Sequence, residues 1–350
     1  MPRPDSETLE YGQWHGVGAV APRRIQFEKE RVVIPAPTMT DVLEARRRIS
    51  TYLRPTPLYS HPAISELVGA DVWVKHENYQ PIGVFKVRGG INLVSRLTED
   101  ERQAGVITAS TGNHGQSIAY AARLFGVKAV IVVPEGANPV KVKAMERFGA
   151  QVVASGKDFD EAFEQCARLA AEKSHRMIHA ANEPLLVAGV ATATLEILEE
   201  QPDVDVIIGP VGGGSGMAGA CIVAGAIAPN VQLIAAQAAA APAAYRSWRE
   251  RKMVEDQMGT AAEGVATRLG FELTQRILWD GLDDFILASE EEIRSATILM
   301  IEGTRSLVEG AGALPLAAAL KIRDRLAGRK VALMCTGGNI SPDQLRSLYA

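Results

Sequence analysis

The sequence predicts an α/β protein built from two lobes, each a mostly parallel twisted sheet flanked by helices. Three observations predict it. Short apolar runs alternate with amphipathic stretches from about residue 72 to residue 334, the signature of a parallel sheet clad on both faces. A chain of 350 residues is long enough for two cores. Its 32 glycines and 18 prolines have no repeat period, so they supply turns between short elements.

In chain order, residues 1–38 read as an N-terminal extension ending near Pro35-Ala36-Pro37. Helical spacing follows from Thr40 to Tyr52, and Val72 to Lys75 alternates as a strand. Strand–helix pairs come next. Residues 105–109 lead into 116–125, residues 129–133 into 139–148, and residues 151–154 into 158–173. The pattern resumes with 177–179, a helix over 184–200, a strand over 204–208, a helix over 216–227 and a strand over 232–236. It closes with helices at 290–302 and 312–326 and a strand at 330–334. The Ala-rich stretch 235–244 reads as a loop into a helix at a pocket mouth.

Composition excludes several function classes. With 37 basic and 41 acidic residues the formal charge is −4, and there is no long basic run, which argues against nucleic acid and anionic membrane as partners. No apolar stretch reaches the ~18 residues that a spanning helix needs. Met1 to Glu30 lacks the apolar core of a signal peptide. Cys166, Cys221 and Cys335 show no paired metal-ligand spacing, and the six histidines form no zinc motif, so no metal is expected. Odd, unpaired cysteines fit a reducing cytoplasm.

Four segments carry chemistry. The first holds Lys86, in Gly83-Val84-Phe85-Lys86-Val87-Arg88-Gly89-Gly90. An imine-forming lysine must be poorly hydrated and able to shed its proton, and Val84 and Phe85 supply apolar surroundings. Taken alone, such a lysine is more often a solvated surface residue. The second is Gly209 to Gly216, a glycine run between a strand and a helix, where backbone N–H groups and the helix dipole converge on an anion. Glycines there serve packing just as often. The third, Ser110-Thr111-Gly112-Asn113-His114-Gly115, is either an ordinary helix cap or a second anion site. The fourth, Cys335-Thr336-Gly337-Gly338-Asn339, ends the last strand. No Gly-x-Gly-x-x-Gly opens the first strand–helix unit, which argues against a nicotinamide dehydrogenase.

In this order the four segments resemble the fold-type II pyridoxal-phosphate enzymes (the tryptophan synthase β-like fold), in their serine/threonine dehydratase and serine racemase branch, over about residues 45–345. The resemblance implies a large domain from 39–82 and 183–350, with a small domain, 83–182, inserted in it. It implies pyridoxal 5'-phosphate bound through Lys86 and held by Phe85, Asn113, Gly212, Gly213, Gly214, Ser215, Gly216, Gly264, Glu309 and Thr336. Lys86 is also the expected base at the substrate Cα. Ser110, Thr111, Gly112, Asn113 and His114 are the expected substrate-binding loop, with His114 packed behind it. Thr336 stands where a Ser faces the ring nitrogen, and a neutral hydroxyl there weakens the electron sink and favours loss of a β-substituent.

The implied reaction is that of an ammonia-lyase converting a β-hydroxy-α-amino acid to a 2-oxo acid and ammonia, by a cytoplasmic homodimer. With eleven residues following Asn339, the regulatory domain of biosynthetic threonine dehydratases is expected to be absent. Departures from the family pattern are Ser215 in the tetraglycine cup, Val84 for Ser, Ala181 for Asn, and Val190-Ala191 within Gly189-Val190-Ala191-Thr192. They suggest a substrate bulkier or more apolar than threonine, such as a phenylserine. Where racemase-like members carry metal-binding acids, this chain has Gln237 and alanines 238 to 241. The alternatives are an amino-acid racemase, with Thr111 at the second face, a β-replacement synthase, and a non-catalytic protein that binds the cofactor.

Overall fold

The computed structural model describes residues 33–350, and those from Ile34 onward pack as one compact unit. The expected extension lies outside the described residues except for 33–38, where Thr38 caps the helix Met39–Ile49 in a reciprocal arrangement with Asp41.

Ten strands form two sheets: β1 (Leu58–Ser60), β2 (Asp71–His76), β3 (Val106–Ala109), β4 (Ala129–Val133), β5 (Gln151–Ala154), β6 (Arg176–Met177), β7 (Val206–Pro210), β8 (Gln232–Ala238), β9 (Asp284–Ala288) and β10 (Lys330–Cys335). Six make one sheet in the order β1-β2-β10-β7-β8-β9, and four make the other in the order β5-β4-β3-β6. Every pairing is parallel except β1 with β2. Strands such as Val106-Ile107-Thr108-Ala109 are buried at every position because helices cover both faces, so they read as unbroken apolar runs.

The six-stranded sheet carries one apolar core on each face. Ile64, Met300, Leu314 and Leu316 lie in the first, and Val187, Leu195, Met217 and Leu273 in the second. A third core joins the helices Val87–Val94, Asn113–Phe125 and Pro184–Glu200 against β3 and β4. The helices Val87–Val94 and Pro184–Glu200 approach very closely. A methyl group on Gly189 would stand 2.7 Å from the Arg88 carbonyl oxygen, so only glycine fits at that crossing.

The Ala-rich stretch departs from expectation. β8 runs on to Ala238, Gln237 accepts from the Tyr245 N–H at 2.9 Å, and alanines 238, 241, 243 and 244 are buried core residues. These small side chains are buried in the core and do not line the cavity described next.

Candidate active site

The four segments meet at the carboxyl ends of parallel strands, where open α/β sheets hold ligands. β2 and β10 are neighbours, and the loops that follow them are stitched together. Phe85 N–H donates to the Thr336 carbonyl at 3.0 Å, Gly338 N–H donates to Gly83 at 2.9 Å, and Val84 bridges Gly337. The glycine run leaves β7, and Ser110 leaves β3. Between them lies a cavity lined by Val84, Phe85, Lys86, Asn113, Pro210, Gly212 to Gly216, Gly264, Val265, Glu309, Ala311 and Thr336.

Lys86 immediately precedes the helix Val87–Val94. Its Nζ lies 4.7 Å from the centre of the Phe85 ring and has no hydrogen-bond partner among the described residues. Burial brings its pKa down from 10.5 to about 8, against the opposing charge of Glu309. Two residues on, Arg88 is fully buried and anchors this segment. It bonds both oxygens of Glu77 at 2.7 and 2.8 Å and both oxygens of Glu196 at 2.7 Å. Lys75 completes the network at 2.7 Å from Glu196. Burial alone would raise the Glu77 carboxyl, but Arg88 and its hydrogen bonds bring it down to about 2.

The glycine run makes a cup. Gly214 has φ +87°, and a methyl group on Gly212 would meet the Gly264 carbonyl oxygen at 2.6 Å. Thr274 Oγ1 fixes the run by donating to the Gly213 carbonyl at 2.7 Å. The helix Ser215–Ile227 begins at the cup without a side-chain cap, so its first N–H groups are left without side-chain partners where Ser215 and Gly216 line the cavity.

The other loop divides its labour. Ser110 Oγ accepts from the N–H groups of Gly112 and Gly115 at 3.2 and 2.8 Å, and is thereby the internal cap of the helix Asn113–Phe125. His114 is buried against Thr108 at 3.0 Å, and burial with the nearby Lys86 charge takes it down to about 3, so the ring is neutral. Thr111 is exposed. Asn113 is the loop residue that lines the cavity itself. Its amide donates to Glu309 at 2.8 Å and accepts from Asn339 at 2.8 Å, which leaves one N–H for a ligand. Burial raises the Glu309 carboxyl, against the pull of Lys141, Asn113 and Lys86. Thr336 is buried just beyond β10 and lines the cavity, and burial pushes the neighbouring Cys335 thiol up, which keeps it protonated.

Of the departures noted in the sequence, Val84 lines the cavity and Ala181 abuts the cup, 3.3 Å from where a Gly213 methyl group would stand. Val190 and Ala191 do neither. They are buried in the helix Pro184–Glu200, with Ala191 packed against Gly219. The argument for an enlarged apolar substrate site therefore loses those two residues. Sequence reasoning also missed Pro210, Val265 and Ala311 in the wall, and the pair Lys141–Glu263 beside it. For the apolar three no chemical signal exists; an acid and a base 122 positions apart are legible only in the fold.

The cavity suits a phosphorylated aldehyde. It offers an amine with no hydrogen-bond partner among the described residues, a glycine run packed too closely against Gly264 and Thr274 to admit side chains at Gly212 and Gly214, an uncapped helix start for a phosphate and one spare amide N–H. A family model described as pyridoxal-phosphate dependent enzyme matches residues 49–337. The L-threonine ammonia-lyase of Thermotoga maritima is 37% identical over 310 residues, covering 88% of this chain and 77% of that protein. The L-threo-3-hydroxyaspartate ammonia-lyase of Saccharomyces cerevisiae is 34% identical over 316 residues, covering 90% of this chain and 97% of that protein. The crystal structure of the serine racemase from Dictyostelium discoideum superposes with a TM-score of 0.82 at 36% identity, covering 87% of this chain and 99% of that one.

Proposed function

The chain belongs to the pyridoxal-phosphate dependent enzymes, and from that premise we propose an ammonia-lyase that converts a β-hydroxy-α-amino acid to a 2-oxo acid and ammonia. The observation that carries the reading is the Lys86 amine, which has no hydrogen-bond partner among the described residues and stands over Phe85 in a cavity walled by the glycine cup, Asn113 and Thr336.

Pyridoxal 5'-phosphate, when bound, supplies an aldehyde for the substrate amine and a conjugated ring that spreads charge from Cα. Lys86 would hold its carbonyl carbon, Gly212 to Gly216 with Ser215 would hold its phosphate, Asn113 would serve its ring hydroxyl, and Phe85, Gly264 and Glu309 would pack at its edge. Thr336 would meet the ring nitrogen with a neutral hydroxyl and bring no acid to protonate it, which would favour loss of a β-substituent. Lys86 Nζ, whose pKa burial brings down toward 8, is the group that would take the proton from the substrate Cα. The N-terminus of the helix Asn113–Phe125 receives the substrate carboxylate, and the buried side chains of Ser110 and His114 keep that loop in shape. Val84 and Phe85 keep water from the amine.

Residues 39–82 with 183–350 form the large domain in this reading, and 83–182 the small one. The protein is a cytoplasmic homodimer; Cys166, Cys221 and Cys335 are free and buried, in keeping with a reducing compartment, and light scattering tests the dimer. The decisive experiment is a screen of β-hydroxy amino acids with purified holoenzyme, following 2-oxo acid, ammonia and substrate chirality together. Stoichiometric 2-oxo acid and ammonia are expected. Inversion without 2-oxo acid would make the protein a racemase, and a bound cofactor with no turnover would make it a binding protein.

A further inference from the structure

Beside the cofactor cavity lies a second one that shares Gly264, Glu309 and Ala311 with it. Its charged lining is Lys141, Arg294, Glu263, Glu290 and Glu309, so acids outnumber bases. One oxygen of Glu290 accepts from the Ala261 N–H at 2.9 Å; the other is buried with no partner. In the cofactor cavity itself the single cation is Lys86, which the cofactor occupies.

Lys141 is the cation behind the loop that takes the substrate carboxylate. It projects from the helix Pro139–Arg147, and a methyl group on Gly112 would stand 3.4 Å from its Cδ and 3.5 Å from its Nζ. Its amine is committed elsewhere, in an ion pair with Glu263 across the two halves of the fold. Glu263 is held in turn by Gln344, whose amide donates to its second oxygen at 3.1 Å. A substrate with one carboxylate has the helix N-terminus to meet it. A second carboxylate would enter a wall whose nearest cation is already paired and whose remaining charged groups are Glu290, Glu309 and Arg294, two acids to one base.

Resting on the ammonia-lyase reading, we propose that Glu263 is a specificity-determining residue: by holding Lys141 neutralised, it restricts the site to β-hydroxy amino acids with uncharged side chains and rejects those with a second carboxylate. The relatives divide along that line, one named for threonine and one for 3-hydroxyaspartate.

The test uses holoenzyme and two readouts. Turnover compares L-threonine and L-serine with L-threo-3-hydroxyaspartate. Binding compares L-alanine with L-aspartate, which have no β-hydroxyl to lose, through the change in cofactor absorbance. The wild type is expected to favour the uncharged member of each set by about tenfold or more. Glu263→Gln frees the Lys141 amine and should narrow both ratios by about tenfold, chiefly through KM and Kd of the dicarboxylic compound. Adding Lys141→Met to Glu263→Gln should restore the original preference. Wild-type preference for hydroxyaspartate or aspartate would overturn the proposal, and so would ratios that Glu263→Gln leaves unmoved. Should none of the three hydroxy amino acids react, the lyase reading fails and the alanine–aspartate comparison still decides the selectivity.

Discussion

Lys75 and Lys86 are both withdrawn from water, and they have opposite fates. Lys75 Nζ is fully engaged, donating to the Thr56 carbonyl and to Glu196 at 2.7 Å each. It belongs to a network whose charges compensate one another. Lys86 Nζ has an aromatic face and a distant carboxylate, and its pKa falls to about 8. Burial alone therefore does not make a lysine reactive. What distinguishes the two is whether the fold supplies a hydrogen-bonded anion, which Lys75 has in Glu196 and Lys86 lacks.

The sharpest way to break this contrast is Lys86→Ala. Turnover should fall by about 10³-fold or more, the absorbance of the bound cofactor should lose its imine band, and borohydride should no longer fix cofactor to the protein. A borohydride tag on Lys75 or on any other lysine of the wild-type protein would end the comparison. The next largest effect falls on the paired side. Arg88→Met leaves Glu77 and Glu196 buried without their shared partner, and denaturant unfolding should show a loss of about 3–5 kcal/mol; a loss under about 1 kcal/mol would mean the network is decorative.

Gly212→Ala tests the cup rather than the lysine. Its methyl group lands 2.6 Å from the Gly264 oxygen, so the cup must open, and cofactor affinity should drop about tenfold while Lys86 stays reactive toward free aldehyde. The smallest effect is in the pH profile. Uptake of cofactor by apoprotein should accelerate as pH rises through about 8, where Lys86 becomes neutral, and Glu309→Gln should move that midpoint lower by removing the charge that opposes the shift. The same shift makes the apoprotein gain stability from about pH 8 toward 10.5, because over that window the unfolded chain still binds a proton that the native amine has lost. Lys86→Met should abolish that gain.

Much of the site could be read from residue types alone. Glycine runs at strand ends and a lysine between apolar residues are local signatures, and Gly212 to Gly216, Lys86, Asn113 and Thr336 do line one cavity. What escaped is whatever depends on a distant partner. Glu77, Arg88 and Glu196 look like ordinary solvated charges until β2 and the helices Val87–Val94 and Pro184–Glu200 bring them together. Val190 and Ala191 were read as the substrate side of that helix; the structure turns them into a helix–helix contact. Element boundaries slipped for a related reason. The helix expected from Gln116 starts at Asn113, because Ser110 caps it from inside the loop, a bond no periodicity reveals.

β10 lies between β2 and β7, so the last strand to be synthesised completes the sheet that the earlier ones began. Thr336 and the backbone that pins Phe85 arrive with it. While residues from 330 onward are still within the ribosome, the nascent chain has the lysine and the glycine cup but lacks the wall between them. A chain cut short before β10 is therefore expected to hold no cofactor, which the absorbance of the truncated protein would check.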